Sequence, residues 1–149
     1  MKLFSTILLA VVCAGFVGTA HAAKKEAVVT SFEAIKWFPM DPKNPDGGQM
    51  GVASGDPQKG ASVTYLKLPK GPAPLHSHSA DYHAVLVKGE AKHWAAGKEA
   101  NAEVLKAGSY WFQPGKQDHG DECVSADGCV IALNLAGKFD FIPAKAAKK

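Results

Sequence analysis

The chain has 149 residues, a formal net charge of +3, and is 46% hydrophobic and 21% charged. All 17 positive side chains are lysines, and without the planar, bidentate guanidinium a sequence reader of nucleic acid loses its main tool. That composition excludes nucleic acid as a favoured partner and leaves a small globular protein with room for one core.

In chain order the first element is an export signal. Lys2 is followed by an apolar run, Leu3 to Gly18, broken only by Ser5 and Thr6, and then by Thr19-Ala20-His21-Ala22. The small-x-small ending predicts cleavage after Ala22, and the run is shorter than the roughly 20 residues that a spanning helix needs. Residues 1–22 are therefore set aside as a signal peptide, 23–143 as one domain and 144–149 as a basic flexible tail. A mature protein in the periplasm or outside the cell follows, with no membrane contact once the signal is removed.

Beyond the leader, short apolar runs are separated by Gly and Pro: Pro39, Pro42, Pro45, Gly47-Gly48, Gly51, Gly55, Pro57, Gly60, Pro69, Gly71, Pro72 and Pro74. This punctuation breaks helices. The predicted strands are 62–68, 83–88, 91–95, 104–105, 109–112, 121–124 and 130–135, several rich in β-branched or aromatic residues. Residues 31–36 fit a helical turn or an edge strand equally well, and Lys88-Gly89 reads as a tight hairpin turn. The expected fold is an antiparallel β-barrel.

Five histidines survive processing. His76 and His78, two apart on an extended segment, project to one face and can reach one ion. A stable transition-metal site needs a third ligand, and His119 follows the strand-and-turn unit Gly108 to Gly115 that can return the chain to the same place. His83 reads as a surface or pocket-wall residue before a ligand. His93, beside Trp94, reads as a strand residue without chemistry. The competing reading of His76 and His78 is a pair of ordinary loop histidines.

These residues resemble the two motifs of the cupin superfamily. Gly71, His76, His78 and Gly89 stand in the first motif, with one residue fewer than usual between Gly71 and His76. Gly108, Pro114 and His119 match the second, with Lys116 where a glycine is expected and Cys123 where a terminal Asn is often found. The stretch from Trp37 to His78, with Gly55-Asp56-Pro57, looks like a bacterial RmlC-like cupin subgroup of unknown function. The resemblance implies an all-β, double-stranded β-helix (jelly-roll barrel). It also implies a divalent transition metal (Zn, Fe, Mn, Ni or Cu) on His76, His78 and His119, a small-molecule ligand and a homodimer. The N-terminal segment 26–38 could donate a strand to that dimer. The position of the usual cupin glutamate holds Tyr82 or, on the longer spacing, His83. Either is a candidate additional ligand or pocket wall, and the nearest acid, Asp81, is out of register. The alternative function is a metal-free cupin that binds or senses a small molecule; enzyme status stays open.

Cys123 and Cys129 flank Val-Ser-Ala-Asp-Gly, a turn signal. A hairpin centred on Ala126 would set their Cα atoms about 4.5–5.5 Å apart, suited to a disulfide, as an even cysteine count in an oxidising compartment favours. Trp37, Tyr65, Trp94, Tyr110, Trp111 and Phe112 are core or pocket aromatics. Asp118 is a partner for His119, a general base or a solvated turn residue.

Overall fold

The computed structural model describes residues 26–145; the signal peptide expected at 1–22 and most of the tail expected at 144–149 lie outside them. The strands among the described residues are β1 (Trp37–Pro39), β2 (Gln49–Gly55), β3 (Ser62–Leu68), β4 (Gly71–Pro72), β5 (His76–Ser77), β6 (Tyr82–Lys88), β7 (Glu90–Ala95), β8 (Leu105–Lys106), β9 (Tyr110–Gln113), β10 (His119–Cys123), β11 (Cys129–Leu135) and β12 (Ile142–Pro143). Residues Phe32–Ala34 form one 3-10 turn, which settles the choice left open for 31–36 in favour of the turn.

Two sheets result. One runs β1-β2-β3-β11-β6-β9, and the other β12-β5-β10-β7-β8 with β4 also on β10. Every pairing is antiparallel. The expected barrel is not formed, because among the described residues no hydrogen-bonded ladder joins one sheet to the other. Closure needs edge strands long enough to pair across the seam. Here β4, β5, β8 and β12 are two residues each, and Pro72 and Pro143 bring no amide hydrogen to a ladder.

Period-two alternation buries one face of the longer strands. Ser62, Thr64 and Leu66 on β3, Tyr82, Ala84 and Leu86 on β6, and Ile131, Leu133 and Leu135 on β11 all point inward. Leu86 is fully covered, and a leucine so placed contributes roughly 1.5–3 kcal/mol. On the outer face of β3 the N-terminal segment lies against Tyr65, where Phe32 packs edge-on to Trp37 and Tyr65. β1 pairs with β2 of its own chain, so the end of segment 26–38 is used internally. Strand β2 escaped the sequence reading because Gly51 and Gly55 resemble loop. A Cβ at Gly51 would stand 2.2 Å from Ile35 and 3.3 Å from Trp37, so glycine is there to let the N-terminal segment lie close.

Two turns differ from expectation in the same way. Lys88-Gly89 is not a hairpin, since it passes the chain from β6 in one sheet to β7 in the other. Gly89 takes φ +88, and a Cβ there would meet the Gly128 carbonyl at 2.8 Å. Likewise β10 and β11 belong to different sheets, so Cys123 and Cys129 are not opposite each other on a hairpin. They form a disulfide with Cα atoms 5.8 Å apart that ties the two sheets together. Replacing both cysteines by alanine is expected to cost about 2 kcal/mol, the loop-entropy value for so short a link. Denaturant unfolding without reductant measures the loss, and reduced wild-type protein should match the variant.

Candidate functional site

Strand β10 is bonded along both edges, to β5 and β4 on one side and β7 on the other. Its register places His119 directly opposite His76, and His78 lies one residue beyond β5. The ring centroids of His76 and His78 are 4.9 Å apart, those of His76 and His119 4.3 Å, and those of His78 and His119 5.2 Å. One ring nitrogen from each lies within 4.8 Å of the other two. All three side chains are buried, His119 completely.

The orientation of each ring is fixed by the backbone. His76 Nδ1 donates to the Pro74 carbonyl at 2.8 Å and His119 Nδ1 to the Gln117 carbonyl at 3.1 Å. His78 Nδ1 donates to the Asp140 carbonyl. A carbonyl oxygen can only accept, so each ring carries a hydrogen on Nδ1, and Nε2 is the nitrogen left for another partner. Three buried imidazoles with ring nitrogens this close together form a cluster consistent with a divalent transition-metal site. The second cupin motif contributes here. Lys116, standing where glycine was expected, takes the left-handed φ of 63, and its amide donates to the His78 carbonyl at 2.6 Å.

The remaining lining is mostly apolar. A cavity of about 70 Å³ is bounded by His76, His78, Tyr82, Trp111, Asp121 and Phe139 among others, room for an ion with a few waters. It adjoins a cleft of about 560 Å³ that also reaches Asp121 and Phe141. The C-terminal strand β12 pairs with β5, and Phe141 stacks on His76 at 4.2 Å.

Among the residues singled out from sequence, Tyr82 lines the cavity, and its hydroxyl donates toward His119 Nε2 over 3.3 Å. His83, one residue on, faces outward and bonds the exposed Tyr110 hydroxyl at 2.8 Å, so it takes no part. Asp81 accepts from the Gly115 amide at 2.7 Å, and Asp118 is exposed. Of the aromatics, Trp111 reaches the cavity, while Tyr110 and Phe112 are exposed.

The sequence reading missed Asp121, Gln113 and the part played by His93. Asp121 is cross-strand partner to His93, and its Oδ1 accepts from His93 Nδ1 at 2.7 Å. Its Oδ2 lies 3.7 Å from Nε2 of both His76 and His119. The same i, i+2 argument that joined His76 to His78 would have put Asp121 on the face of His119.

Charge follows from these contacts. Burial pushes the His119 imidazole down to about 4, outweighing the Gln117 bond and the Asp121 charge that raise it. Burial lowers His78 as well and raises the Tyr82 phenol, which stays protonated. At Asp121 burial alone would raise the carboxyl, but the His93 bond and the nearby imidazoles hold it below the usual carboxylate range. Below about pH 6.5 an unfolded chain's imidazole takes up a proton that folded His119 refuses until about 4. Unfolding then binds protons, so the Tm of metal-stripped protein should fall by several degrees as pH drops through that window, as calorimetry at fixed ionic strength would record.

Comparison with known proteins agrees with this geometry. The family described as "Domain of unknown function (DUF4437)" matches residues 20–142. The chain belongs to that family. No curated protein matches it. Many solved structures are similar, three of them as follows. KdgF from a Halomonas species is 20% identical, with TM-score 0.55 over 77% of this chain and 94% of that one. An RmlC-like cupin from Shewanella frigidimarina is 19% identical, with TM-score 0.58 over 75% and 91%. The polyketide cyclase RemF from Streptomyces resistomycificus is 13% identical, with TM-score 0.63 over 83% and 89%. At these identities the likeness shows the fold: a DUF4437 protein with the two-sheet, RmlC-like cupin architecture.

Proposed function

We propose that this DUF4437 protein is an exported metallo-cupin. His76, His78 and His119 hold one divalent transition metal through Nε2, and the ion holds or activates a small organic molecule entering from the adjoining cleft. The observation that carries the reading is the set of three buried imidazoles, each with Nδ1 held by a backbone carbonyl and with ring nitrogens within 4.8 Å of one another. An ion bound there would act as a Lewis acid toward an oxygen or carbonyl ligand. The chain's own residues shape what reaches it: Tyr82, Trp111 and Phe139 give the cavity an apolar wall, and no lysine is among the residues lining it. That wall suits a small, largely uncharged group at the ion. RemF, whose fold is similar, is a polyketide cyclase, so this architecture accommodates an activity on an organic substrate.

Metal analysis of protein purified without added metal tests the assignment. Wild type should carry about one ion per chain, and His76→Ala and His119→Ala should each lose most of it, because two imidazoles seldom retain a transition metal. Unchanged content in both variants would mean that any ion binds elsewhere.

Export is the second part of the proposal. The apolar leader ending in Ala20-His21-Ala22 supports it, and so does a disulfide, which persists in an oxidising compartment. Among the described residues no helix is long and apolar enough to cross a membrane. Intact mass of the periplasmic or secreted form should place the mature N-terminus at Ala23. A homodimer also belongs to this reading, supported by Tyr110 and Phe112 exposed on the edge strand β9; light scattering after size exclusion gives the mass directly.

A further inference from the structure

We propose that the Asp121 carboxylate is the acidic ligand of the ion held at His76, His78 and His119, and that His93 is the positioning residue that aims it. The inference rests on the metal reading above. A cupin-like first motif calls for a carboxylate at the position of Tyr82, and a buried phenol supplies no charge there. Asp121 approaches two of the three histidines from β10, the strand that carries His119, and clusters with His119 and His93. Its Oδ2 is 3.7 Å from Nε2 of His76 and 3.7 Å from Nε2 of His119. Two donors about 2.1 Å from one ion stand about 3.4 Å apart at the tetrahedral angle and about 4.2 Å apart when opposed. The observed spacing lies between these, and both contacts are too long to be hydrogen bonds.

The other carboxylate oxygen is held. Oδ1 accepts from His93 Nδ1 at 2.7 Å, and His93 Nε2 donates to Gln113 Oε1 at 3.1 Å. Gln113 cannot flip, because its Nε2 donates to the carbonyls of Pro114 and Gln117 at 3.0 and 3.1 Å. Both nitrogens of His93 are thus committed, which removes it as a ligand although it clusters with His119 and Asp121. Trp111 stacks on its ring at 5.1 Å. The chain Gln113–His93–Asp121 therefore turns Oδ2 toward the histidines. A carboxylate there also offsets part of the ion's charge in a cavity with an otherwise apolar wall.

Titration of metal-stripped protein with Co(II), followed through its visible d–d bands, tests this without any assay of activity. Wild type should bind one Co(II). Asp121→Asn should bind about 100-fold more weakly with shifted bands, and His93→Gln about 10- to 100-fold more weakly. His83→Ala on the outer face should match wild type. Near-UV circular dichroism confirms folding, and His93→Gln carries the test if Asp121→Asn does not fold. Wild-type affinity and bands in the two variants would overturn the proposal, as would weakened binding with unshifted bands, which puts Asp121 outside the coordination sphere. Failure of wild type to bind Co(II) at all would instead remove the three-histidine site.

Discussion

Strand β10 is only five residues long, yet it is bonded along both edges and presents three inward side chains, His119, Asp121 and Cys123, at intervals of two. Each makes a different connection: to the histidine pair, to His93, and to Cys129 in the opposite sheet. Because alternation in a strand is strict, a slip of one residue in the β10 register would turn all three away together. The site and the link between the sheets therefore stand or fall on one ladder. The bonds along both edges make such a slip costly.

The second requirement is control of the imidazole tautomers. A histidine buried without a defined partner can place its hydrogen on either nitrogen. In this protein Pro74, Gln117 and the C-terminal segment at Asp140 each contribute a carbonyl that removes the choice. Burial keeps His78 and His119 neutral, the form that binds metal. Stability and ligand geometry thus have the same origin. The same feature sets their weakness, because acid forces protons onto rings that the folded protein has no room to solvate.

The relation between the sheets has a comparable economy. Without a closed ladder they are held by side-chain packing around Leu86, Ile131 and Leu135, by the disulfide, and by strand-to-strand crossings such as the one at Gly89. One of the short strands, β4 with Pro72, borders the cleft beside Asp121.

Strand β3 could be read residue for residue, and most of the other long strands nearly so, because β-branched and aromatic runs between Gly and Pro leave the backbone few alternatives. The three clustered histidines and the cysteine pair were equally open to a reading of spacing and resemblance. Strand β2 was hidden, since its glycines are explained only by Ile35 and Trp37 lying against them. The two supposed hairpins, at Lys88-Gly89 and between the cysteines, have the local signals of turns, and turn chemistry says nothing of which sheet receives the next strand. Likewise Asp121, His93 and Gln113 meet across strands 20 to 28 residues apart. The chain by itself determined which segments are strands and which residue types can bind a metal, both matters of local sterics and chemistry. Only tertiary structure decided that the sheets stay separate and that a carboxylate joins the histidines, because long-range pairing register sets both.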